Sequence, residues 1–202
     1  MSTSISGTSG VTFPAGGVGN PAGTVVGTTD TQTLTNKTLG SGLVAGASLI
    51  TSGTAVASTS GTSIDFTSIP SWVKRITVMF NEVSTSGTSV IQVQLGTGGV
   101  PTTSGYLSTK TELSSGTASL SSITSGHSVV GGSAANVASG LIIFALFSGN
   151  IFIGSSSVKQ STSFMSIGNS SVTLAGTLNF VRITTVNGTD TFDAGSINIL
   201  YE

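Results

Sequence analysis

In four separate runs of this chain, apolar side chains return at every second position. Ile76, Val78 and Phe80 alternate with Arg75, Thr77 and Asn81, and Ile91, Val93 and Leu95 alternate with Gln92 and Gln94. Val181 and Ile183 alternate with Arg182 and Thr184, and Ile197, Ile199 and Tyr201 with Asn198 and Leu200. A period of two places one face of an extended strand against a core and the other toward solvent. Abundant Thr, Val and Ile favour the same pleated backbone, and no stretch carries a 3.6-residue period. Leu141–Phe147, LIIFALF, is apolar on both faces and predicts a central, fully covered strand. Gly149-Asn150 before Ile151-Phe152-Ile153 reads as a hairpin, Gly168-Asn169 and Asn187-Gly188 as two further turns, and Ser84–Thr88 as a connection between alternating strands. Eight to ten strands with such turns predict an all-β domain, an antiparallel β-sandwich or jelly-roll-like fold.

The surface of such a domain would be unusual. Only 6% of the 202 residues are charged, against roughly 25% in an ordinary soluble domain. Ser, Thr and 28 Gly replace them. Disorder couples low hydrophobicity to high net charge, whereas this chain is 37% hydrophobic with a formal net charge of −1. A surface of hydroxyls with little charge repulsion is poorly protected against association and suits a protein that sits in an assembly. Six basic residues, the closest pair being Lys74-Arg75, do not make a phosphate-binding stripe, so nucleic acid is not an expected partner. The absence of Cys removes disulfides and thiolate metal sites. MSTSISGTSG at the N-terminus has neither the basic nor the apolar region of a secretory signal. LIIFALF ends at Ser148-Gly149-Asn150, short of the roughly 18 residues of a membrane helix. A soluble chain, without membrane partner or conventional export, is expected.

Residues 1–50 differ from residues 51–202. The first segment is Gly-, Thr- and Ser-rich, holds Pro14 and Pro21, and contains one regular feature, TQTLTNKTL at 31–39. It has too few apolar residues for a core of its own, and ordering without burial is not compensated. It is expected to be an extended arm that orders against something else, ahead of a β-sandwich head at 51–202.

Chemistry is sparse. The single histidine, His127, sits in Ser125-Gly-His-Ser128; a nearby serine says little in so serine-rich a chain, and the residue reads as a loop histidine, weighed against a pH switch. No GxSxG elbow occurs. Of seven carboxylates, Asp190 and Asp193 form the one local pair. They are candidates for calcium or for glycoside hydrolysis, weighed against an Asp that caps backbone amides in a turn after Asn187-Gly188. Gly17-Val-Gly-Asn-Pro-Ala22 matches G-x-G-x-x-A but follows no strand and opens no helix. No catalytic residue, cofactor or metal ligand is assigned. Trp72, Tyr106 and Tyr201 are candidates for stacking on a sugar: Tyr106, in Ser104-Gly-Tyr-Leu107, as the loop residue for glycan contact, and Trp72 as a residue of core or strand entry.

TDTQTLTNKTL at 29–39 resembles a short motif that opens many tailed-bacteriophage fibre and tail proteins. SIDFTSIPSWVKRITVMF at 63–80 resembles the start of a β domain common in phage virion proteins, and TTVNGTDTFDAGSINILYE at 184–202 is similar to the end of that domain. The resemblance frames about residues 28–202 and implies a virion structural protein, assembled in the host cytoplasm and homotrimeric. It further implies an attachment and trimerisation arm, with Leu34, Asn36, Lys37 and Leu39 as its residues, and a distal head that meets other virion proteins and a host-surface glycan. It brings no catalytic residues. The expected function is a non-enzymatic fibre or spike. The alternatives are a capsid decoration or cement protein (a head fibre) and a glycan-active enzyme, which the few ionisable groups disfavour.

Overall fold

The computed structural model describes residues 50–131, 133–161 and 164–202. They belong to a compact unit, Ser48–Glu202, and among them every element is a strand and every pairing antiparallel. Fourteen strands appear, more than the eight to ten expected, because several are two-residue pairings that leave no periodic trace. The strands are β1 (Thr51–Ser52), β2 (Val56–Ala57), β3 (Ser63–Phe66), β4 (Arg75–Thr85), β5 (Ile91–Thr97), β6 (Val100–Pro101) and β7 (Leu107–Ser114). They continue with β8 (Thr117–Ile123), β9 (His127–Val130), β10 (Ala138–Ser148), β11 (Ile151–Gln160), β12 (Phe164–Thr173), β13 (Phe180–Thr185) and β14 (Phe192–Tyr201).

Two sheets result, in a sandwich-like arrangement. The nine-stranded sheet runs β1-β14-β4-β10-β11-β12-β7-β8, with β2 also on β14; the five-stranded sheet runs β3-β13-β5-β6, with β9 also on β5. The chain crosses between sheets at 86–90 and again at Asn187-Gly188, whereas Gly149-Asn150 turns a hairpin inside the large sheet. The four alternating runs are β4, β5, β13 and β14. Their inward residues Ile76, Val78, Phe80, Val93, Leu95, Val181, Ile183, Ile197 and Ile199 join Ile142, Phe144 and Phe152 in one buried cluster. Face-to-face sheet packing is what this alternation requires.

Two features of the large sheet depart from expectation. Gly168-Asn169 is no turn: it lies inside β12, where Gly168 faces inward and a β-carbon would stand 2.8 Å from Ser156 Oγ and 3.1 Å from the Ser128 carbonyl. This glycine permits close backbone approach. LIIFALF does form β10, central between β4 and β11, but it is covered on one face only; Leu141 and Phe147 stand in solvent.

Where β9 lies close against the inner face of β7, β11 and β12, that face presents Ser108, Gly154, Ser156, Ser166, Gly168 and Ser170. The Ser128 amide donates to Ser108 Oγ (2.9 Å), Ser166 Oγ donates to the Val129 carbonyl (2.7 Å), and Gln160 Nε2 donates to the Gly131 carbonyl (2.6 Å). The expected surface hydroxyls are therefore partly interior. Ser108, Ser128, Ser156, Ser166 and Ser170 are all buried.

A β-carbon on Gly154 would stand 2.6 Å from Ser170 Oγ, 2.7 Å from Phe144 Cε1 and 2.9 Å from His127 Nδ1. Gly154→Ala is expected to cost about 1–3 kcal/mol through overpacking. Urea unfolding should show a lower midpoint at unchanged slope, while Ser155→Ala, next along β11 and exposed, should change it little.

Candidate functional site

The turn that enters β4 builds the most accessible aromatic feature. The Val73 amide donates to the Pro70 carbonyl (3.1 Å), closing a turn that buries Val73 and turns Trp72 outward, 52% exposed. Tyr201, at the end of β14, packs partly against the core, and its ring centroid lies 5.9 Å from that of Trp72 at 49°. Beside them the amides of Lys74 and Arg75 donate to the Glu202 carbonyl (2.7 and 2.8 Å), and Arg75 pairs with the Glu202 carboxylate. The result is an open aromatic corner next to a satisfied ion pair.

A second feature lies on the outer face of the small sheet. Register sets Gln92 and Gln94 of β5 beside Thr184 and Arg182 of β13, which face Ser63 and Asp65 of β3. With Ser125 they line a groove of about 340 Å³. Gln94 Nε2 donates to the Ser125 carbonyl (2.9 Å) and Ser125 Oγ to Gln92 Oε1 (2.7 Å). Arg182 donates through Nε and Nη2 to the two carboxylate oxygens of Asp65 (2.8 and 2.6 Å), and this hydrogen bond holds its proton more firmly than usual. The groove is equipped for hydrogen bonding.

Tyr106, expected in a loop for glycan contact, does not reach the surface. It is fully buried, with its phenol oxygen 2.6 Å from the Leu95 amide, from which it accepts, and in reach of the Leu95 carbonyl at 3.4 Å. Burial raises its phenol above the ordinary range, partly offset by the bond to Leu95. The SGYL loop carries this ring inward to clasp β5. Trp72, expected at core or strand entry, does enter a strand but at the surface. The structure brings Trp72 and Tyr201 together and leaves Tyr106 apart. Leu34, Asn36, Lys37 and Leu39 lie outside the described residues.

The described carboxylates are each engaged within the fold. Asp65 pairs with Arg182, Glu202 with Arg75, Glu112 with the buried Lys110, and Glu82 with Lys159 (3.6 Å) while accepting from Ser139 Oγ (2.9 Å). Asp190 accepts from Asn187 Nδ2 (2.6 Å) and the Ser89 amide (2.9 Å), which lower its pKa in that order. It is a capping residue of the loop. Asp193, on β14, accepts instead from Ser84 Oγ, so the two have separate partners. Among the described residues no three His, Cys, Asp or Glu side chains gather as a metal site.

His127 is no surface loop residue. It opens β9 and is fully buried, with Nδ1 2.7 Å from Ser170 Oγ and its ring edge-on to Phe144 at 5.3 Å. Its Nε2 has no hydrogen-bond partner. Sequence reasoning missed this because a histidine between Gly and Ser reads as a loop; the apolar Val129-Val130 that follows was the available signal.

No family model, curated protein or solved structure matches the chain.

Burial lowers the His127 pKa from 6.5 to about 4. The unfolded chain therefore takes up this proton first as pH falls. The stability held with neutral His127 is fully present above about 6.5 and is lost progressively down to about 4, a total of about 3 kcal/mol. Chemical unfolding between pH 7 and 4.5 should show this decline, and His127→Gln should flatten it; an equally steep profile in the variant would assign the decline to other groups.

Proposed function

We propose that the chain is a non-enzymatic structural protein of a phage particle, a trimeric fibre or spike. Its arm at 1–50 attaches to the virion, and its β domain projects toward the host surface. The observation that carries the reading is the state of the ionisable groups. The described carboxylates stabilise loops, strand ends and ion pairs, and the one histidine is enclosed between sheets, neutral and away from solvent. General acid–base chemistry needs such a group within reach of a substrate proton. A rigid antiparallel domain with a charge-poor surface fits display and contact instead.

Host contact is assigned to the Trp72–Tyr201 corner, where an exposed ring beside a hydroxyl-bearing one offers an apolar plane to the face of a sugar. Trp72 is the only tryptophan, so its emission reports on this corner alone. Host polysaccharide should shift that emission saturably, and Trp72→Ala should lower host-cell adsorption about tenfold or more; unchanged adsorption would move the contact elsewhere.

Position on the particle tests the wider reading. Antibody-labelled particles in negative stain should carry label on the tail, and deletion of residues 1–40 should abolish incorporation while the β domain keeps its circular dichroism. Label spread over the capsid would make the protein a decoration protein, and a truncated chain that still enters particles would remove the arm from attachment.

A further inference from the structure

On the outer face of β10, β11, β12, β7 and β8 exposed aliphatic side chains recur, and in β12 and β7 the ordinary patterning is reversed. On β12 the inward residues are Ser166, Gly168 and Ser170, while Met165 and Ile167 point out. On β7, Ser108, Lys110 and Glu112 point in, while Leu107 and Leu113 point out. Leu141 on β10 and Ile153 on β11 are 43% and 47% exposed, and Leu120 on β8 is 72% exposed. β8 is the edge of the sheet, and residues 117–122 along it are all exposed. A one-residue slip of strand register would exchange the two faces. The chain instead fixes the apolar set outward by packing its serines against β9.

We infer that this face is where copies of the chain associate, its occupant being the same face of neighbouring copies. The inference rests on the trimeric reading for its copy number. Three observations favour the chain itself as the partner. First, the face is continuous across register: Met79 lies beside Leu141, Leu141 beside Ser157, Ser157 beside Ile167 and Met165 beside Leu113. Five strands about 4.8 Å apart and about nine residues long give a plane of about 24 by 30 Å, about 700 Å². That approaches the roughly 800 Å² per partner of a standard stable interface. Second, the face carries almost no charge. Lys159 is its one cation in this region and already pairs with Glu82. A charged partner would find nothing to pair with, whereas a second copy brings the same neutral mixture of hydroxyls and aliphatic side chains. Third, the end of the face holds an open hollow of about 510 Å³ lined by Leu113, Phe164 and Met165 beside Lys159. Its apolar walls are suited to a projecting aliphatic side chain such as Leu120 of a neighbour.

The full-length protein, measured by light scattering after size exclusion, should show about three times the 19.9 kDa chain mass. Ser157→Glu places a charge at an exposed hydroxyl between Leu141 and Ile167, and should return the mass to that of one chain with unchanged far-ultraviolet circular dichroism. Ile167→Glu should do the same. A Ser157→Glu protein that keeps the wild-type mass overturns the interface while leaving the trimer in place. A wild-type protein that stays at single-chain mass at high concentration overturns both. A two-chain mass abolished by Ser157→Glu keeps the interface and overturns the trimeric copy number.

Discussion

The apolar layer between β4 and β10 on one side and β5 and β13 on the other is the interaction on which the remainder depends. Ile76, Val78, Phe80, Ile142 and Phe144 meet Val93, Leu95, Val181 and Ile183 there. Burial of this kind is non-directional, so it holds the sheets together without fixing their relative position. Directional groups at the periphery do that. Tyr106 bonds Leu95, and the Asn187–Thr191 loop is tied to Ser86 and Ser89.

The second contact between the sheets uses different physics. Under β9 the large sheet presents Ser108, Ser156, Ser166 and Ser170 with Gly154 and Gly168, so the backbones come closer than aliphatic side chains would allow. Hydroxyls satisfy the backbone groups that this approach would otherwise strand, as buried polar atoms require. His127 fills the remaining space and is held neutral by it. The same arrangement turns the apolar residues of β7 and β12 outward, so the character of the outer surface is set from inside.

Much of this was legible in residues whose pattern is local. The alternation in β4, β5, β13 and β14 gave the strands, their inward sides and the sandwich, because a period of two has one geometric meaning. The Asp190 cap was legible from Asn187-Gly188 and the carboxylate three residues on. What escaped depends on partners distant in sequence. Gly168-Asn169 has the composition of a turn, and only its pairing with Ser155-Ser156 of β11 and Thr109-Lys110 of β7 makes it mid-strand. Tyr106 looks like a loop aromatic until Leu95 is placed beside it. Serine was read as a surface residue, and nothing local distinguishes Ser166, which bonds Val129, from Ser171, which faces out. LIIFALF showed that both faces of β10 are apolar; that only the inner one is covered follows from where the second sheet lies.

The way the chain enters the domain has a mechanical consequence. β1 and β2 contribute two residues each to the edge of the large sheet at β14, with Gly53 and Ser58 adding single backbone bonds to Ile199 and Gly195. Tension applied through the segment before Ile50 is borne first by these few contacts and not by the interlocked core. So few bonds give way at a lower load than the long ladders from β3 onward, so a pull on this end of the domain would be taken up here before the sandwich loses register.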